Sequence, residues 1–261
     1  MKKLYFVLGI IILAGLFYLG YRAYYKDNEG ANSADFGKLE EVLNATTTAA
    51  VKPEIKEIKD EGNLVFYVGQ DLADIGNSSF MNKVPKEQVD KYKAELARLK
   101  EVLESDPTNV ENWMSVANIK NFFNNYEGAR DAWEYAKYLN NDNSAVYYNL
   151  GNLYGGYLKD YKLAEENFLK AIELEKKNVN YYIGTADFYW NFYTGKKGEA
   201  GNILEEGMKE MPDDISLLSY AAGYYKNTGN KERALALYNK VLSLDSGNEE
   251  VKGEVERLMA N

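Results

Sequence analysis

Residues 144–178 read SAVYYNLGNLYGGYLKDYKLAEENFLKAIELEKKN. An aromatic, then Leu-Gly, then Tyr, then Ala, Phe and Ala follow one another at helical spacing. The same order returns along the chain if units are started at Val110, Ser144, Val179 and Ile215. Position 4 is then Trp113, Tyr147, Tyr182 and Leu218, and position 8 is Ala117, Gly151, Ala186 and Ala222. Position 20 is Ala129, Ala164, Ala200 and Ala234, and position 24 is Trp133, Phe168, Leu204 and Tyr238. Position 27 is Ala136, Ala171, Gly207 and Val241. Keeping this alignment needs one extra residue in the second unit and two in the third, which the reading assigns to the turn between helices, where insertions are cheap. Gly195, Gly198 and Gly229 fall where a helix must stop.

The pattern has a packing reason. Two short antiparallel helices approach closely only if the residues at their crossing are small, and positions 8 and 20 are Gly or Ala in all four units. Large residues at positions 4, 11 and 24 fill the space around the crossing and reach the next unit. One such unit cannot bury its apolar face alone, so units stack. These residues resemble the tetratricopeptide repeat, a helix–turn–helix unit of about 34 residues. The resemblance covers units 110–143, 144–178, 179–214 and 215–248 and implies an all-α fold, a right-handed superhelical solenoid. Departures are Lys120 at position 11, where the other units have Tyr154, Tyr189 and Tyr225, and Asn141, Lys176 and Ser246 at position 32, where only the third unit has Pro212.

The flanks read as caps. Gln88 to Glu104 places Leu96, Leu99, Val102 and Leu103 on one face, like the second helix of a unit lacking its first, within a capping segment 86–109. Glu249 to Met259 places Val251, Val255 and Leu258 on one face of a terminal segment 249–261, with charge elsewhere.

The head of the chain is different. Leu4 to Tyr21 is 18 residues without a charge, after Lys2 and Lys3. As a helix it would span about 27 Å, close to the hydrocarbon thickness of a bilayer. No small residue stands three positions before a cleavage point at its end, so the expectation is an uncleaved signal-anchor (1–25) contacting lipid through residues 4–21, with a cleaved export signal as the alternative. A three-residue head most simply stays inside, which places the repeats outside the cytoplasmic membrane. Residues 26–85 are expected to be a largely disordered linker. Within it, Asn63–Val84 is left unassigned: NLVFYVGQ is strand-like in composition, and the stretch could instead pack as an ordered lead-in.

The 261 residues contain no Cys and no His, with 31 basic and 40 acidic side chains and a net charge of -9. Thiol nucleophiles, disulfides, imidazole bases and Cys/His metal sites are therefore excluded, no cofactor is expected, and an acidic chain disfavours nucleic acid. Tyr is abundant at 23 residues, most of them at or beside core positions of the units.

In the family that these units resemble, first helices line a groove that holds an extended peptide or a partner helix. Carried over position by position, the lining candidates here are Asn118, Asn121, Tyr148, Asn152, Asp187, Trp190 and Lys226, a mixture of amides and aromatics suited to a peptide backbone. Some members grip a C-terminal carboxylate with cations around two asparagines. Asn118 and Asn149 match those asparagines, but the cationic positions are Met114, Asn180 and Gly184, so carboxylate clamping is rejected. The expected function is a non-catalytic, membrane-tethered scaffold that binds a protein or peptide in assembly of a cell-envelope complex. The alternatives are a homo-oligomeric spacer and a glycan hydrolase using carboxylates alone, with Glu165-Glu166, Glu205-Glu206 and Glu249-Glu250 as its acids.

Overall fold

The computed structural model describes Tyr67 and residues 69–260. The expected anchor and the linker as far as residue 66 lie outside the described residues. Among the described residues there are ten α-helices and no strand, and no helix is long and apolar enough to cross a membrane.

Helix α1 is Lys86–Ser105; α2, Val110–Phe122, pairs with α3, Tyr126–Leu139; and α4, Ser144–Asn152, pairs with α5, Tyr161–Leu174. Then α6, Val179–Asn191, pairs with α7, Glu199–Glu210, and α8, Ile215–Asn227, pairs with α9, Lys231–Leu244. The last helix, α10, is Glu249–Ala260. Most helices begin where an Asn or Asp side chain accepts a hydrogen bond from a backbone N–H of the first turn: Asn109, Asn125, Asn143, Asp160, Asn178, Asp214 and Asn230 all do so. Each such cap stabilises its helix by about 1 kcal/mol.

The small residues of positions 8 and 20 lie in the core. Ala117, Ala129, Gly151, Ala164, Ala186, Ala200, Ala222 and Ala234 are all buried. A Cβ on Gly151 would meet the Phe168 ring at 2.8 Å, so position 24 presses directly on position 8 within this pair. Trp113 and Tyr182 are fully buried at position 4, whereas Tyr147 is half-buried.

Position 11 ties one unit to the next. Tyr154 donates its hydroxyl to Glu134 of α3 at 2.9 Å, Tyr189 to Glu165 of α5 at 2.7 Å, and Tyr225 to Glu205 of α7 at 2.7 Å. In each case the acceptor is on the second helix of the preceding unit. Each glutamate also meets a cation: Lys137, Lys196 and Arg233 respectively. The first unit has no repeat before it, and there position 11 is Lys120. Its fully buried ammonium donates to the backbone carbonyls of Asp71, at 2.7 Å, and Asp74, at 2.6 Å.

Residues 69–84, which the sequence leaves unassigned, therefore pack on the first unit. Leu72 and Ile75 are buried, Ser78 donates its hydroxyl to the Phe123 carbonyl at 2.6 Å, and the Tyr67 ring lies 4.7 Å from that of Trp113. The strand-like composition of NLVFYVGQ is not realised at its described residues, Tyr67, Gly69 and Gln70, because these groups find partners in the first helix pair rather than in a second strand.

Two turn expectations are corrected. The extra residue of the second unit is not in a turn: α4 continues as a π-helical turn, Leu153–Leu158, which absorbs it within the helix. The chain then reverses at Lys159 in the left-handed conformation (φ 61°), and the N–H of Asp160 reaches back to the Tyr154 carbonyl at 3.0 Å. Of the three glycines expected to stop helices, Gly229 has positive φ (80°), whereas Gly195 lies in a 3-10 turn, Thr194–Lys196, and Gly198 precedes α7 with φ -64°. In the first unit the left-handed residue is Asn124, φ 61°.

Both flanking helices cover the ends of the stack. On α1, Leu96, Leu99 and Leu103 are buried, joined by Val89, while Val102 is half-buried at the margin of that face. On α10, Val251 and Val255 are buried and Leu258 packs partly on the core.

Candidate functional site

The first helices of successive units lie side by side, α4 against α6 and α6 against α8. On the face they make is a cavity of about 580 Å³. Its polar lining is Asn121 from α2, Asn149 and Asn152 from α4, and Asp187 from α6. Its apolar walls include Trp133, Tyr148, Phe168 and Phe188, and Tyr157 and Phe192 stand at it with 52% and 40% of their surface exposed. The π-helical turn brings Gly156 and Tyr157 to this wall, so the extra residue of the second unit shapes the site.

Four of the seven sequence candidates, Asn121, Tyr148, Asn152 and Asp187, meet here; Asn118, Trp190 and Lys226 do not. Asn118 is exposed outside the cavity. The Trp190 ring is covered by the Lys197 ammonium, 3.6 Å from its centroid, and packs edge-on to Tyr224. Lys226 is paired with Glu254 of α10 at 2.7 Å, which makes it part of the terminal contact.

The side chains that meet are held in different ways. Asn152 donates back to the Tyr148 carbonyl at 3.1 Å, so its Oδ1 faces outward from that bond. Tyr148 lies over Gly184 of the next unit: a Cβ there would come within 2.2 Å of its hydroxyl. Asn121 Oδ1 and Trp133 Nε1 are both buried without a hydrogen-bond partner in the protein. One is an acceptor and the other a donor, the complement of a peptide unit. Asp187 accepts hydrogen bonds from the Tyr220 hydroxyl and from Asn191, both on Oδ1. Burial, then the hydrogen bond and charge of Asp187, push the Tyr220 hydroxyl well above the usual tyrosine range, so it stays a neutral donor.

Trp133, Phe168, Phe188 and the rim aromatics were missed as lining residues. Trp133 and Phe168 stand at position 24, which the pattern reads as core, and they are both core and cavity wall. Nothing in a linear pattern marks the side of a core ring that stays open.

One acid of each proposed carboxylate pair is engaged elsewhere. Burial raises the Glu165 carboxyl, but hydrogen bonds from Lys196 and Tyr189 outweigh that and hold it below the usual range, the wrong direction for a general acid. Glu205 is clasped by Arg233, and Glu249 by Lys252. Among the described residues no group of three or more Asp or Glu is placed to hold a metal ion.

Paired helices, buried small residues at positions 8 and 20 and a groove along the first helices define a helical-repeat solenoid. The family model "Tetratricopeptide repeat" matches residues 144–178 and 221–248, so these two segments are such repeats. Among solved structures, MamA aligns with TM-score 0.51 at 18% identity, covering 67% of this chain and 99% of its own. Pseudomonas aeruginosa PilF aligns with TM-score 0.50 at 16% identity, covering 66% and 82%. YrrB, titled a TPR protein with an unusual peptide-binding site, aligns with TM-score 0.48 at 20% identity, covering 79% and 100%. The first two fix the fold as an all-helical tetratricopeptide-repeat solenoid. No curated protein matches the chain.

Proposed function

We propose that this chain is a non-catalytic, membrane-tethered scaffold that holds an extended segment of a protein partner in the groove of its first helices, in assembly of a cell-envelope complex. The observation that carries the binding reading is the cavity itself: about 580 Å³, walled by aromatics and lined by three carboxamides. Aromatic walls supply apolar contact area with little entropy loss, and carboxamides can pair with either half of a peptide unit. The tether rests on the sequence alone, on the 18 uncharged residues from Leu4 to Tyr21 behind two lysines. The same stretch supports a single pass with the repeats outside the cytoplasmic membrane.

Two experiments test this. A photo-crosslinking amino acid placed at Tyr157, on the groove, should yield a protein adduct in cells; the same group at Leu244, exposed on α9, should not. Equal adducts at both, or none at Tyr157, would remove the groove reading. Because the chain has no Cys, a single Leu244→Cys substitution gives an unambiguous probe of sidedness. It should react with a membrane-impermeant maleimide in intact cells, and protection until lysis would place the repeats inside.

A further inference from the structure

Among the described residues, Asp187 is the one charged side chain lining the cavity. It differs from most of the part-buried carboxylates among the described residues; Asp214, the other one without an ion pair, caps α8 by accepting from the Leu217 N–H. Asp131, Glu134, Glu165, Glu205 and Glu254 each face a lysine or arginine. None of the ion pairs formed by the described residues includes Asp187. Its two hydrogen-bond donors, Tyr220 and Asn191, are neutral, and both go to Oδ1. That arrangement fixes the carboxylate in place and leaves Oδ2 presented without a hydrogen bond from a described residue.

The surroundings suit a cation. The aromatic rings of Tyr148, Phe188 and Phe192 line the same cavity, and ring faces attract a guanidinium or ammonium group. The molecule already uses this pairing at the rim, where the Lys159 ammonium sits 5.2 Å from the Phe192 ring and donates to the Gly156 carbonyl. Asp187 is half-buried beside apolar walls, and a positively charged group seated on its open oxygen gains both charge and hydrogen bonds. The whole chain carries a net charge of -9, which adds long-range attraction for a basic partner.

We infer that the groove recognises an extended peptide bearing a basic side chain, Arg or Lys, seated on Asp187 Oδ2, with the carboxamides of Asn121, Asn149 and Asn152 alongside the peptide's backbone. This assignment rests on the peptide-binding reading given above and names the chemistry of its ligand. Tyr220 acts as a positioning residue: it holds Oδ1 so that Oδ2 points at the ligand.

The test is selection of a phage-displayed random dodecapeptide library on the purified full-length chain in detergent, followed by binding of the selected peptides as fluorescent synthetic probes. The expected result is enrichment of Arg or Lys at one position. Asp187→Asn should then weaken the basic peptide about tenfold or more and remove its preference over the same peptide with Gln at that position. Tyr220→Phe should give a smaller loss in the same direction. Asn152→Ala should weaken the basic and Gln peptides alike. Groove-dependent peptides with no basic position, or a basic peptide indifferent to Asp187→Asn, would overturn this inference while leaving the groove reading in place. No peptide sensitive to Asn152→Ala or to blocking of Tyr157 would overturn both. Far-UV circular dichroism and melting of each variant separate loss of binding from loss of fold.

Discussion

The ammonium of Lys120 donates to the backbone carbonyl of Asp74 at 2.6 Å from a side chain with no exposed surface. A second bond runs to the Asp71 carbonyl at 2.7 Å. Burial pulls the amine below its ordinary range, and Asp74 and Asp71 partly offset that. The lysine thereby does for the first unit what Tyr154, Tyr189 and Tyr225 do for the others, joining it to whatever precedes it. Lys120→Met keeps the apolar stem and leaves two carbonyls without a donor, so it should lower stability by about 2–4 kcal/mol. In a chain cut to begin at Lys86 those carbonyls are gone, and the same substitution should be nearly neutral. Urea melts of the four proteins check this as a double-mutant cycle, and equal effects in both backgrounds would mean that the lead-in segment does not depend on Lys120.

How much of this the sequence discloses follows from what kind of interaction each feature uses. The burial of Ala117 and Ala129, or of Ala222 and Ala234, is legible because close packing demands small residues at a fixed interval, and an interval can be read in one dimension. The burial of Leu96 and Leu99 is legible for the same reason. Residues 69–84 follow no period: apart from a 3-10 turn at Ser79–Lys83 they are irregular chain, whose partners, Phe123 and Lys120, lie about 45–50 positions away. Lys120 was visible as a departure, but its purpose was not, since only the folded chain brings it to Asp71. In the groove, the fold brings Asn121, Tyr148, Asn152 and Asp187 to one cavity. Trp190 and Lys226 stand apart from it: a lysine seven residues away covers the Trp190 ring, and Glu254 of the terminal helix pairs with Lys226.

Gly184 is where one unit yields to another's side chain. A methyl group there would come within 2.2 Å of the Tyr148 hydroxyl and 2.8 Å of its ring. The ring cannot swing freely, being packed against Phe168 and Tyr181. Gly184→Ala gains about 1 kcal/mol of helix propensity but forces that displacement, at about 1–3 kcal/mol. The net effect should be a loss of up to about 2 kcal/mol with weaker peptide binding. With Tyr148→Ala in the background the obstruction is absent, and Gly184→Ala should become stabilising. Thermal melts of the single and double variants test the reversal of sign.

The tyrosine ties predict alkaline sensitivity. Burial, then the hydrogen bond and charge of Glu205, push the Tyr225 hydroxyl from 10.0 up to about 12. Burial, with Glu206 and Glu210, does the same to Tyr182. Between those values the folded chain holds protons that the unfolded chain has released. Stability is therefore complete below about pH 10 and falls as pH rises toward about 12. Tyrosine ionisation followed by absorbance, with melting temperature measured across the same range, should show both changes. Tyr225→Phe should reduce the slope, since one of the raised groups is then missing, and an unchanged slope would show that Tyr225 titrates alike in both states.

The rim aromatics separate binding from stability. Phe122, Tyr157 and Phe192 recur every 35 residues and are 46%, 52% and 40% exposed. Phe122 is held in a cluster with Phe80, Tyr92 and Phe123 and does not line the cavity, whereas Tyr157 and Phe192 do. Tyr157 stacks on Tyr126 with centroids 4.2 Å apart, which sets its plane at little cost to open surface. Truncating a half-exposed ring removes little core contact, so Tyr157→Ala and Phe192→Ala should each lower stability by less than about 1 kcal/mol. Against a groove-bound peptide the same rings contribute buried contact area, and each substitution should weaken binding about five- to thirtyfold. Trp190→Ala should show the opposite split, since Lys197 covers that ring and Tyr224 packs edge-on to it: a lower melting temperature with peptide affinity retained. Titration of a selected fluorescent peptide beside a melt of each variant decides the matter, and loss of affinity on Trp190→Ala without loss of stability would move the site toward α8.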